Sequence, residues 1–252
     1  MIDYHLHVVA HADRPMTVRN ILEYCEVAKR RGIQEMGITE HDRFLGDIDL
    51  DAFREARERS RDVALRLGIE IDFVPGNEAE MDRVANALPY DYVIGSVHRV
   101  GGEEVDNPGV KDVYEKWDTY ELYEAYYENV RAAALSGRFE VIGHPDLIKI
   151  FRTYPDQDIT PMLEETADAV AEAGVAVDVN AAGLRKPVGE VYPARNLLQM
   201  FHRRGIPIIL SSDAHSAEEV GAGYEQSVRL VKDVGYTQVA TFENRKRGTL
   251  AL

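Results

Sequence analysis

Ile2-Asp3-Tyr4-His5-Leu6-His7 is the stretch on which the reading of this 252-residue chain turns. Read as a strand, it puts Ile2, Tyr4 and Leu6 on one face and His5 and His7 on the other, because successive side chains of an extended backbone point to opposite sides. The apolar face is expected to pack outward against helices, and the imidazoles to point inward. Two imidazoles two residues apart on one strand face can grip one divalent ion. Such a pair is as readily two incidental surface histidines, so the ends of the other strands have to decide.

Those ends come at regular intervals, because apolar runs and helical patterns alternate along the chain. Thr17 caps a helix through Arg31, and Asp49 opens one that carries Phe53, Ala56, Ser60, Val63 and Leu67 at helical spacing up to Gly68. Asp118 with Glu121 reads as a capping box for a Tyr-rich helix to Gly137, and Thr160-Pro161 opens a helix closed by Gly174. A further helix spans Pro193 to Arg204. Ser216 with Glu219 reads as the capping box of the last one, which ends near Gly235. The strands between them are Ile33 to Thr39, Ile69 to Asn77, Tyr90 to Val97, Phe139 to Gly143, Val175 to Val179 and Ile206 to Leu210. A polar loop runs from Arg99 to about Trp117, and residues 236–252 take no assignment. Strands alternating with helices imply βαβ units and a parallel sheet. About 250 residues suits one (β/α) barrel, so residues 1–252 are expected to form a single domain.

Composition narrows the function classes. Hydrophobic residues make up 45% of the chain, enough for a large core and too many for disorder. The 44 acidic against 29 basic residues leave a formal charge of −15, which repels nucleic acid and anionic membrane; neither is expected as a partner. Cys25 is the single cysteine and falls in a helical pattern, which excludes an internal disulfide or a cysteine-based zinc motif. The chain enters a strand within a few residues without a signal-peptide run, and no run reaches transmembrane length, so a cytoplasmic location is the expectation.

Parallel α/β folds carry their chemistry at the carboxyl ends of their strands. The first strand delivers His5 and His7, with His11 just beyond. The others end in Thr39-Glu40-His41-Asp42, Gly76-Asn77-Glu78, Gly95-Ser96-Val97-His98, Gly143-His144-Pro145, Asn180 to Lys186, and Ser211-Ser212-Asp213-Ala214-His215. Asp213 and His215 share a face if extended. Seven of the eight histidines thus fall at strand ends, and only a closed sheet brings them together; His202, in a helix, reads as a surface residue. Glu70 rivals Glu78, since each follows a glycine by two residues, but the strand boundaries place Glu70 at the opposite end and favour Glu78. Glu40 and Asp42 read as neighbours of the site or solvated groups. His5, His7, His11, His41, His98, His144, His215, Glu78 and Asp213 make nine candidate ligands. Three divalent ions (Zn, Mn or Fe) at about three protein ligands each is the natural partition. Clustered ions with open positions favour hydrolysis through an activated water, and their charge favours an anionic phosphate ester as the small-molecule substrate. Arg185 and Lys186, on a Gly-flanked turn, are candidates for substrate contact, and the acidic loop residues Glu103, Glu104 and Asp106 for a cationic amine.

At these motifs the sequence resembles the PHP (polymerase and histidinol phosphatase) superfamily across nearly its whole length. The resemblance rests on His5-Leu6-His7, Thr39-Glu40-His41, Gly76-Asn77-Glu78, Gly95 to His98, Gly143-His144 and Ser212 to His215. It implies a distorted seven-stranded (β/α) barrel, TIM-like, with a trinuclear site. One ion would take His5, His7, Glu78 and Asp213, a second Glu78, His98 and His144, and a third His11, His41 and His215. The stretches Gly143 to Lys149 and Asn180 to Pro187 resemble the histidinol-phosphate phosphatase branch, in which the arginine is expected to bind phosphate. The implied activity is hydrolysis of L-histidinol phosphate by a metal-bridging hydroxide, with Asp213, His215, Glu78 and Arg185 as the catalytic residues. The alternatives are a related enzyme for nucleotide or sugar phosphates, or a non-catalytic metal-binding module.

Overall fold

Seven parallel strands wrap into a nearly closed barrel in a computed structural model that describes residues 1–10, 12–107, 109 and 112–252. In chain order the strands are β1 Ile2–Leu6, β2 Glu35–Ile38, β3 Ala64–Asp72, β4 Tyr92–Ser96, β5 Arg99–Val100, β6 Glu103–Glu104, β7 Val141–Ile142, β8 Ala176–Asn180, β9 Ile208–Ser211, β10 Gln238–Glu243 and β11 Lys246–Ala251. The helices are α1 Val18–Arg30, α2 Leu50–Arg59, α3 Glu78–Ala85, α4 Asp112–Lys116, α5 Thr119–Leu135, α6 Thr160–Ala173, α7 Arg195–Arg203 and α8 Tyr224–Val234. The barrel order is β1-β2-β3-β4-β7-β8-β9, each neighbouring pair parallel. Caps fall where side-chain chemistry puts them: Thr17 accepts from Asn20 N, Asp118 from Tyr120 N and Glu121 N, and Gly174 ends α6 at φ 68°.

The barrel closes along a seam rather than a full ladder. Leu6 bridges Ala214, and His7 N donates to Ala214 O at 2.8 Å. Beside the bridge, the buried Asp3 carboxylate accepts from Ser212 N (2.9 Å), Ser212 Oγ (2.6 Å) and Gly221 N (2.9 Å). A side chain supplies what a strand pair would otherwise supply, and it fixes β1 against the segment that carries Asp213 and His215.

Three expectations are corrected. The alternation assumed for Ile2 to His7 is broken by a bulge: Asp3 pairs with Met36 but Leu6 with Ile38, so three steps on β1 match two on β2. Tyr4 therefore does not pack outward. Its ring stacks on Tyr92 at 4.9 Å, and Tyr92 pairs with Gly68, which shares a face of β3 with Glu70. Second, α2 stops at Arg59, with Ser60 Oγ bonding Val63 O, and β3 begins at Ala64. Leu67 belongs to a strand, and the helical spacing from Phe53 through Val63 to Leu67 crosses a turn. Third, Ser216 and Glu219 bound a single 3-10 turn, Ala217–Glu219, and α8 starts only at Tyr224.

Residues 236–252, unassigned from sequence, hold an antiparallel hairpin that turns on Asn244 and Arg245, both at positive φ. A two-residue turn of this hand matches the twist of its strands. The hairpin covers the end of the barrel opposite the strand carboxyl ends. There Phe242 packs on Tyr4 and Tyr92, and Asn244 N donates to Asp91. Arg66 joins Glu35 to Glu243, and Tyr4 donates its hydroxyl to Glu35. Room for the Tyr92 ring comes from two glycines, since a Cβ at Gly37 would overlap its hydroxyl and one at Gly68 its ring carbons. Gly37→Ala is expected to lower stability by about 1–3 kcal/mol through overpacking, seen as a reduced urea midpoint; an unchanged midpoint would show that the ring yields freely.

Candidate metal centre

The carboxyl ends of the strands converge on one buried carboxylate. Glu70, 1% exposed, holds Oε2 at 2.7 Å from His41 Nδ1, 3.4 Å from His5 Nε2 and 3.7 Å from His7 Nε2. Its Oε1 lies 3.2 Å from His144 Nε2 and 3.5 Å from His98 Nε2. Asp213 Oδ1 faces His7 Nε2 at 3.4 Å, and the His7 ring stacks on His41 and on His215 with centroids 4.4 Å apart in both pairs. Asp213 is not extended: it sits at φ 51°, in the left-handed region that aspartate tolerates better than most residues. Even so, it and His215 reach the same ring.

The glutamate assignment changes. Glu78 begins α3 on the outer surface, fully exposed, with its carboxylate accepting from Gly76 N at 2.9 Å. Because β3 starts at Ala64 and ends at Asp72, Glu70 lies near its carboxyl end and Glu78 lies six residues beyond that end. The signal was in the sequence: Leu65, Leu67, Ile69 and Ile71 alternate with Arg66, Gly68, Glu70 and Asp72, a period of two that a helix cannot show. His11 lies outside the described residues.

Among the described residues, three groups of ligating atoms have all members within 4.8 Å of one another: His7, His41 and His215; His5, Glu70 and His144; and His5, His7 and Asp213. The last of these holds three of the four residues of the first expected ligand set, and Glu70, not Glu78, is the glutamate beside them. Among the described residues, His98 joins through Glu70. Around the ligands stand further residues, among them Glu40 and Asp42, expected from sequence as neighbours of the site or solvated groups, and Arg185, expected to contact substrate. Glu40, fully buried, accepts from Val8 N (2.6 Å) and Val9 N (2.8 Å) and faces His7 Nδ1 at 3.9 Å. Asp42 accepts from Asp72 N, and Lys149, 4% exposed, ties Asp146 (2.9 Å) to Glu190 (3.2 Å) beside the Tyr192 ring. Arg185 Nη2 donates to Ser212 O (2.8 Å) and Asp213 O (3.2 Å), and its Nε lies 3.3 Å from Glu219. Arg185 and Lys186 line a cleft of about 860 Å³ that opens onto Glu70, Asp213 and four of the histidines. Glu104 and Asp106 line it too, whereas Glu103 pairs with Lys116.

Electrostatics split the imidazoles into two kinds. Burial works hardest against charge on His5, yet Glu70, Asp213 and Asp178 together hold its pKa well above the ordinary imidazole value. His98, similarly desolvated, is pushed up to about 10 by Glu70 and Asp72. Burial and the neighbouring His215 and His41 keep His7 well below that value, and burial also lowers His41. Burial opposes ionisation of Glu70 and Asp213, but the surrounding imidazoles hold both well below the usual carboxylate range. Fully buried His5 Nε2 and His7 Nε2 make no hydrogen bond. Orphaned imidazole nitrogens facing ionised carboxylates are the donor set of a divalent transition-metal ion, and these residues fit one.

A (β/α) barrel gathering six histidines and two carboxylates at its strand ends defines a metal-binding protein of the barrel class. Residues 3–182 match the PHP domain family and residues 196–229 the PHP-associated family; the chain belongs to the PHP domain family. A probable histidinol-phosphatase of Deinococcus radiodurans is 46% identical over 182 residues, covering 72% of this chain and 69% of that one. The histidinol-phosphatase of Bacillus subtilis is 25% identical over 240 residues, covering 81% and 90%. The fold is that of the histidinol phosphate phosphatase of Lactococcus lactis, solved with zinc, L-histidinol and phosphate. The TM-score is 0.80 at 24% identity, over 98% of each chain.

Two outcomes follow for the metal centre. Glu70→Gln is expected to lower metal content on elemental analysis after dialysis, whereas Glu78→Gln is expected to match wild type. Ligation needs neutral imidazoles, so ions must displace protons from His5 and from His98, whose metal-free pKa is about 10. Metal added to the metal-free protein near neutral pH is expected to release protons in a weakly buffered titration. Affinity should weaken as pH falls and strengthen as it rises toward 10.

Proposed function

We propose that this chain is a metal-dependent phosphomonoesterase that hydrolyses L-histidinol phosphate to L-histidinol and phosphate, with three divalent ions at its centre. The carrying observation is the convergence of His5, His7, His41, His98, His144 and His215 on Glu70 and Asp213 at the mouth of the cleft. The likeness to histidinol-phosphatases from several bacteria supports the choice of substrate. Overlapping ligand groups, with His5 and His7 each shared by two, fit neighbouring ions better than one isolated ion. Zinc, manganese and iron all accept imidazole with carboxylate.

Divalent ions at such a centre supply Lewis acidity and lower the pKa of a coordinated water into the neutral range. The rest of the work belongs to the chain. Glu70, lying between the imidazoles of β1, β2, β4 and β7, would be the carboxylate that helps them hold the ions. Arg185 is anchored to the backbone that carries Asp213, which holds its positive guanidinium at the cleft wall, where it would attract phosphoryl oxygens. Lys186 adds positive charge at the rim. Asp106, also in the cleft lining, would supply the charge that a cationic amine needs. A cleft of this volume falls in the range of small-molecule sites.

The test is a phosphate-release screen over L-histidinol phosphate, nucleotides and sugar phosphates, with zinc, manganese and iron supplied separately. L-histidinol phosphate is expected to turn over fastest; preference for another ester would move the enzyme elsewhere in the family, and no release from any would leave a metal-binding module. His7→Ala and Asp213→Ala each remove a ligand and should reduce turnover by more than about 100-fold, since even outer partners of metal ligands contribute 10–100-fold. Either variant keeping wild-type rates after metal removal and add-back would reject the ligand set.

A further inference from the structure

The buried residues Asp178 and Asn180, on one face of β8, touch two of the ligands but belong to none of the ligand groups. Asp178 Oδ2 lies 3.0 Å from His5 Nδ1, and its Oδ1 accepts from Ser211 Oγ at 2.6 Å. The amide nitrogen of Asn180 lies 3.1 Å from Asp178 Oδ2 and 3.1 Å from Asp213 Oδ2, while its oxygen accepts from Ala182 N at 2.8 Å. We propose that Asp178 and Asn180 are positioning residues that select the ion-facing nitrogen of His5 and the ion-facing oxygen of Asp213.

The chemistry leaves little freedom. A carboxylate accepts, so once ligation has displaced the extra proton of His5 the remaining hydrogen stays on the nitrogen that bonds Asp178, and the lone pair is left on Nε2. That nitrogen lies 3.4 Å from Glu70 Oε2, on the interior side. The Asn180 amide has two N–H donors, and both are committed, one to each carboxylate. Its oxygen is held by a backbone N–H, so the amide cannot turn over without losing all three bonds. With Oδ2 of Asp213 directed at Asn180, Oδ1 is left facing His7 Nε2 at 3.4 Å. One bracket on β8 thereby orients ligands from β1 and from the segment after β9. A carboxylate behind a ligating histidine both fixes its tautomer and raises its basicity.

The proposal rests on the reading of this site as a metal centre and not on the substrate, so its test uses no phosphate ester. Wild type, Asp178→Asn and Ser211→Ala are loaded with zinc and titrated with a chromophoric chelator. In parallel, the metal-free proteins are unfolded in urea. Asp178→Asn is expected to weaken the hold on at least one ion by about 10–100-fold. Ser211→Ala, which only loosens Asp178, should shift the curve the same way by less. Metal occupancy of Asp178→Asn should recover at raised zinc, with a metal-free urea midpoint close to wild type. Superimposable chelator curves would overturn the proposal. So would a lowered metal-free midpoint with unchanged affinity, which marks a purely structural role. Should Asp178→Asn not fold, Ser211→Ala decides, and unchanged affinity in that variant overturns the assignment.

Discussion

One carboxylate with almost no exposed surface, Glu70, lies within 4 Å of five imidazoles from four strands. Everything else at the strand ends answers to that arrangement. A buried carboxylate is stable only beside compensating charge, and buried imidazoles this close repel one another once protonated. In the metal-free chain the compensation is uneven: the carboxylates raise the pKa of His5 and His98, while burial and neighbouring imidazoles lower that of His7 and burial lowers that of His41. Divalent cations resolve the conflict for all of them together, which is why the site reads as a metal centre before any relative is considered.

Holding that cluster requires the barrel to close, and closure depends on a few groups at one seam. The β1 strand meets the segment after β9 through a single bridge and the Asp3 carboxylate. The bulge between Asp3 and Leu6 changes which way β1 faces along its length. It sends Tyr4 into the interior below the site and still brings His5 and His7 to Glu70 above it. Tyr4, Tyr92 and Phe242 fill the barrel beneath the imidazoles, with Gly37 and Gly68 giving up side-chain volume to admit them. The hairpin of β10 and β11 finishes the opposite end, so the aromatic layer beneath the ligands is buried.

The surroundings of the ligands divide by role. Glu40 fastens the backbone after β1, Asp178 and Asn180 fasten His5 and Asp213, and Arg185 is bonded to the carbonyl of Asp213 itself. Arg185 thus holds a ligand's backbone while its charged side chain lines the cleft.

The parallel α/β class, the strand-end histidines and Asp213 were legible in the amino-acid sequence because each depends on local periodicity and on where a strand ends. So were the caps at Thr17, Asp118 and Gly174, since capping is settled within a few residues of chain. The choice between Glu70 and Glu78 was also written there, in the period-two pattern from Leu65 to Asp72, but an overlapping helical spacing obscured it. Only the tertiary structure decided the bulge in β1, the inward turn of Tyr4, the bracket from Asp178 and Asn180, and the place of the last seventeen residues. Each of these is a contact between segments far apart in sequence, set by space and hydrogen-bond capacity in a closed barrel, and no local pattern encodes such a contact.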